Sequence, residues 1–104
     1  MRRMGWASSY IASLRAGLTV SFRPHGNSMQ PRIESGQLCT VAPIAEGESV
    51  SPDDVVLCTV HGSQYLHRVS AVRGPQYQIA NMRGHVNGWI TRRQIHGRLV
   101  RVDP

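Results

Sequence analysis

Apolar residues in this chain come in short alternating runs, cut about every 8–12 residues by glycine, proline, asparagine or serine. Nothing else limits the fold as strongly. Leu18, Val20 and Phe22 alternate with Thr19, Ser21 and Arg23, the period of a strand with one buried face. Further strands are expected over Leu38 to Ile44, opened by Ser35-Gly36, and over the near-continuous apolar run Val55 to Val60. His61-Gly62-Ser63 reads as a hairpin turn, with Gln64 to Val72 as the returning partner. Gly74-Pro75 marks a second turn, followed by a strand from Tyr77 to Met82, a loop from Gly84 to Gly88 and a last strand from Gly97 to Val102. Pro24 to Pro31 and residues 45–54 read as turn-rich or polar loops.

One segment has a different period. Trp6, Tyr10 and Leu14 recur four residues apart with Ile11 beside them, which predicts a short amphipathic helix over about residues 5–16. Gly17 suits its C-terminal end, because glycine enters the left-handed region cheaply. With 104 residues there is room for one domain, residues 1–104. The expectation is a mainly β fold, a small coiled β-sheet or partly open barrel over about 18–103, with a short N-terminal helix. The Leu18–Phe22 strand and the helix either pack in cis or pair with a second copy, as in a homodimer.

Charge narrows the chemistry. All 12 basic residues are arginine against 6 acidic residues, a net charge of +6. Without lysine, no lysine base, Schiff base or P-loop lysine is available. The arginines are scattered, with no dense run and no interleaved aromatic platform, so nucleic acid is not the expected partner. Cys39 and Cys58 lack metal-ligand spacing with the histidines, and no metal or other cofactor is expected. Two thiols without a clear secretion signal fit a reducing, cytoplasmic setting. Arg2 and Arg3 precede an apolar stretch, but Ser8, Ser9 and Ser13 dilute it and Arg15 ends it. It falls short of the ~18 apolar residues that a membrane span requires.

Two residues could carry chemistry. Ser28 lies in Gly26-Asn27-Ser28-Met29-Gln30-Pro31, at the exit of a strand. A sharp turn there would expose the hydroxyl and leave backbone N–H groups free as oxyanion donors, with Met29 anchoring the turn and Pro31 stiffening it. A serine that merely satisfies a turn is the alternative. His67, in Tyr65-Leu66-His67-Arg68-Val69, would be held by a strand and could accept a proton near neutral pH. A histidine hydrogen-bonded within the sheet is the plainer reading.

The order of motifs resembles the LexA-like and signal-peptidase serine peptidases. The Gly26–Pro31 segment is followed by Glu34-Ser35-Gly36-Gln37-Leu38, then Asp53-Asp54-Val55-Val56, then Leu66-His67-Arg68-Val69. Arg83-Gly84-His85-Val86-Asn87 and Ile95-His96-Gly97-Arg98-Leu99-Val100 complete the series, which covers about residues 20–102. The resemblance implies a coiled-sheet peptidase domain acting on a peptide or protein, with Ser28 as nucleophile and His67 as base. Most bacterial members use lysine, which this chain lacks.

One departure stands out. His85 occupies the place where histidine-type members carry an aspartate, and no acid occurs between His85 and Asp103. The loop of His85 and Asn87 therefore cannot complete a Ser-His-Asp triad. Either a Ser-His dyad acts alone, or Asp53, Asp54 or a backbone carbonyl orients His67, or the site is degenerate. Self-cleaving members are cut at Ala-Gly; Ala16-Gly17 is present here, but a helix C-cap explains it as well. Three functions stay open: a serine peptidase, an inactive member that binds peptides by β-augmentation, and an arginine-rich nucleic-acid binder.

Overall fold

The segment Val55–Val60 has almost no polar face, so it is stable only where both of its faces are covered. In the computed structural model, which describes residues 5–104, it is the central strand of a seven-stranded sheet. In chain order the elements are α1 (Ser8–Arg15), β1 (Val20–Phe22), β2 (Leu38–Ala42), β3 (Val55–Val60), β4 (Ser63–Arg73), β5 (Gln76–Ala80), β6 (Val86–Thr91) and β7 (Ile95–Asp103). A short 3-10 turn, Arg92–Gln94, links β6 to β7. The spatial order is β1-β2-β7-β3-β4-β5-β6, every pair is antiparallel, and the sheet stays open with β1 and β6 at its edges.

Alternation along β3 divides the core in two. Val55 and Leu57 join Ile11 and Leu14 of α1 with Phe22, Met29, Ile33, Val41 and Leu66. Val56, Cys58 and Val60 join Val69, Ile79, Ile90 and Ile95 on the other side. Cys39 and Cys58 are free and buried, and burial pushes the Cys58 thiol up to about 12. No helix among the described residues is long and apolar enough to cross a membrane.

The helix ends where expected. Gly17 has φ +85°, its N–H donates to Leu14 O at 3.0 Å, and Leu18 N–H donates to Ser13 O at 3.0 Å. This Schellman arrangement gives Ala16-Gly17 a structural role as a helix stop. Both α1 and β1 pack in cis, the helix on the core and β1 against β2. Gly97 permits close layering there: a Cβ would lie 2.8 Å from Val41 Cγ1 and 2.9 Å from the Ala42 carbonyl oxygen.

Several boundaries differ from the sequence expectation. The helix spans Ser8–Arg15, inside the expected 5–16, and residues 1–4 lie outside the described residues. β1 begins at Val20, and β2 stops at Ala42 before Pro43. The expected Gly84–Gly88 loop runs into β6, which makes seven strands where about six were counted. Asn87, inside that expected loop, is the extra residue of a bulge, where Ile79 faces Gly88 and Ala80 faces Val86.

Two substitutions test this packing. Leu57→Ala, at a fully buried central site, should cost about 2–5 kcal/mol. Gly97→Ala should cost about 1–3 kcal/mol by forcing β2 and β7 apart. Urea unfolding with an unchanged m-value is the check; midpoints equal to the parent would contradict the two-sided core.

Candidate active site

His67 sits on β4 opposite Val56 of the central strand, and only 8% of its surface is exposed. Its ring stacks on Tyr65, two residues back on the same face, with centroids 4.9 Å apart and planes at 28°. The ring is thus fixed by sheet register and by packing. Its Nε2 lies 3.3 Å from Ser28 Oγ, a distance typical of such pairs without substrate.

The serine is positioned by two loops. Gly26 has φ +122°, which lets the chain turn sharply after His25. Its N–H donates to Ser35 Oγ at 3.0 Å, and Gly36 N–H donates to Pro24 O at 2.8 Å. On the far side, Met82 N–H donates to Ser28 O at 2.8 Å, and Arg83 Nε donates to Asn27 O at 3.2 Å. The loop after β5 is itself shaped by Asn81, whose Oδ1 accepts the N–H groups of Arg83 and His85, both at 2.9 Å. Met29 is buried beneath the turn as expected, and the Gln30–Pro31 peptide is cis. Among the described residues, no backbone carbonyl takes the Ser28 N–H.

The other side of His67 is held by Asn87. Asn87 Oδ1 lies 2.8 Å from His67 Nδ1. Asn87 is the extra residue of the β5–β6 bulge, and that irregularity turns its side chain toward β4. With the amide oxygen facing Nδ1, the proton sits on Nδ1 and the Nε2 lone pair faces Ser28. Burial holds the His67 pKa below its ordinary 6.5; the Asn87 hydrogen bond pulls it back up, and the neighbouring His85 pushes it down. At neutral pH the imidazole is therefore uncharged and able to take a proton.

Neither Asp53 nor Asp54, considered from sequence as orienters of His67, hydrogen-bonds to it. Asp54 Oδ2 accepts from Ser51 N–H at 2.9 Å and from Arg98 Nη1 at 3.2 Å. Asp53 has φ +75°, donates its N–H to Val69 O at 2.8 Å and accepts Arg32 Nη1 on its carbonyl at 2.6 Å. Both residues close the Val55 end of the β3–β4 pair. The dyad read from sequence comes together, the loop residue Asn87 does the orienting, and Met82 and Arg83 are supports that sequence reasoning missed. In sequence Asn87 was legible only as a loop residue with His85, not as the orienting group.

Ser28 and His67 border a cleft of about 460 Å³. Met29, Ile33, Leu66 and Phe22 line its apolar floor, and Trp6 and Tyr10 of the helix segment wall it. Tyr10 stacks on Phe22 with centroids 4.6 Å apart, and Trp6 donates its Nε1–H to Gln64 O at 2.9 Å. Arg23 and His25 also line it, and no carboxylate does among the described residues. Those residues likewise contain no cluster of metal-ligating side chains. No protein-family model matches the chain, and no curated protein matches it.

The pKa balance makes a signed prediction. In an NMR titration, His67 should titrate below 6.5. Asn87→Ala removes the contact that raises the value and should lower it further; Asn87→Asp adds a negative charge and should raise it. A His67 pKa that ignores both substitutions would rule out the Asn87 contact.

Proposed function

We propose that the chain is a serine peptidase of the LexA-like and signal-peptidase type, with Ser28 as nucleophile, His67 as general base and Asn87 as positioning residue. The observation that carries this reading is the aligned series Asn87 Oδ1, His67 Nδ1, His67 Nε2, Ser28 Oγ at the edge of a peptide-sized cleft. His67 Nε2 takes the Ser28 proton as Oγ attacks a peptide carbonyl. The free Ser28 N–H donates to the developing oxyanion. The imidazolium then returns its proton to the leaving amine, and water, activated by the same Nε2, releases the acyl group from Ser28. The substrate is an extended peptide whose apolar side chains fill the floor of the cleft. Buried free thiols support a reducing compartment, the cytoplasm.

One observation favours a second reading. Asn87 fixes the tautomer but carries no charge to stabilise the imidazolium, as an aspartate would. A slow enzyme, or a module that holds peptides without cutting them, follows from that difference.

Peptide-library digestion followed by mass spectrometry separates these readings. Cleavage should fall by about 10³-fold or more in Ser28→Ala and in His67→Ala. Because neutral His67 is the base, the rate should rise with pH along an acid limb centred below 6.5. Equal product from all three proteins would overturn the peptidase assignment; peptide binding without product would select the binding module.

A further inference from the structure

We propose that a second pocket, between α1 and the β3–β7 pair, binds one tetrahedral oxyanion of the phosphate type. It encloses about 230 Å³ and is lined by Ser8, Ile11, Ala12, Arg15, Thr59, Gln64 and His96. Five of these seven side chains carry hydrogen-bonding groups, and none is a carboxylate. Arg15 makes no salt bridge among the described residues. Three of the chain's six acids pair with other arginines: Glu48 and Asp54 hold Arg98, and Asp103 holds Arg101. A guanidinium thus faces a polar pocket without a counter-ion.

The hydrogen bonds within the pocket leave donors for a ligand. Gln64 Nε2 donates to Ser8 Oγ at 3.2 Å, so the Ser8 hydroxyl hydrogen is free to point elsewhere. His96 Nε2 lies 2.8 Å from Thr59 Oγ1. When His96 is protonated, Nε2–H donates to Thr59 Oγ1 and releases the Thr59 hydrogen as well. His96 reaches this place because it is the extra residue of the β3–β7 bulge, where Leu57 faces Gly97 and Cys58 faces Ile95.

Arg15, Ser8 and Thr59 therefore offer donors from the helix and from the sheet. Donors converging from separate elements suit the oxygens of a tetrahedral anion better than the two coplanar oxygens of a carboxylate.

The charge balance agrees. Burial, and then the charge of Arg15, hold the His96 pKa below its ordinary 6.5. An anion bound between Arg15 and His96 offsets the charge of Arg15 and stabilises the imidazolium, so binding takes up a proton on His96. The charged and titratable groups facing the pocket are Arg15 from α1 and His96 from β7; β3 and β4 contribute the uncharged Thr59 and Gln64. Binding should tighten as pH falls through the His96 titration.

The test is an NMR titration of the intact chain in phosphate-free buffer at constant ionic strength. Inorganic phosphate, O-phosphoserine and acetate serve as separate probes, with the His96 imidazole signals as readout. Inorganic phosphate should shift the His96 signals, raise the His96 pKa and bind more tightly at pH 6 than at pH 8. The Arg15→Gln variant, changed at an exposed side chain and checked for an unchanged melting temperature, should lose about tenfold or more in affinity. Phosphoserine binding at His96 beside inorganic phosphate would show that the site takes a phosphate monoester; inorganic phosphate alone would show a site for the free ion. Acetate binding as tightly as phosphate would overturn the assignment. So would a phosphate response that bypasses His96 or survives Arg15→Gln undiminished.

Discussion

The molecule depends on β3 being buried on both faces. Its side chains alternate between two apolar clusters, so neither half of the core exists without it. Its neighbours are fixed by the same demand. On one edge, β4 returns through the tight turn at His61-Gly62 and places His67 opposite Val56. On the other, β7 brings Gly97 opposite Leu57 and allows α1 to settle on the sheet. The Ser28 loop closes over one of the clusters, with Met29 and Ile33 buried in it. The rigidity of the candidate active site comes from the core, and the loops contribute the final aim.

That aim is achieved by breaking the strand period. A regular strand sends alternate side chains to opposite faces, so a polar residue wanted on a chosen side needs an extra residue in the ladder. Asn87 is such a residue in β6 and reaches His67; His96 is another in β7 and reaches Thr59. Ser70 in β4 is a third, with its hydroxyl donating to Gln78 Oε1 at 3.0 Å. In each case a bulge turns a polar group to a hydrogen-bonding partner while the apolar positions around it stay in register. The arginine-only composition fits this economy. In the proposed peptidase, with no lysine in the chain, histidine is the base at the serine, and a buried imidazole needs a fixed tautomer to serve.

Strand period and turn chemistry made most of the fold legible. Val55–Val60 has the boundaries read from its apolar run, and the His61–Ser63 hairpin and the Gly17 helix stop are where local chemistry puts them. β6 was hidden because Gly84–Gly88 reads as a loop, while Asn87-Gly88 serves here as a bulge, a distinction made only by the partner strand. The same residue explains what was missing from the site. Ser28 and His67 were visible as residue types in a suitable order, whereas the group orienting His67 was sought among acids and backbone carbonyls. Asp54 pairs with Arg98 and Asp53 sits in a turn at φ +75°, and neither bonds to His67. Met82 and Arg83 carry no signal at all, since they act through a backbone N–H and a long side chain reaching across loops.

The proposed chemistry turns on one proton. If Asn87 accepts from His67 Nδ1, the imidazole presents a bare Nε2 to Ser28, and the pair can act as nucleophile and base. Long-range ¹H–¹⁵N NMR of the uniformly labelled protein, recorded above the His67 pKa, reports the tautomer directly. The expected result is protonated Nδ1 with an unprotonated Nε2, shifting toward the mixed-tautomer pattern in Asn87→Ala. A proton resident on Nε2 in the parent protein would make His67 a donor to Ser28 and contradict the central claim.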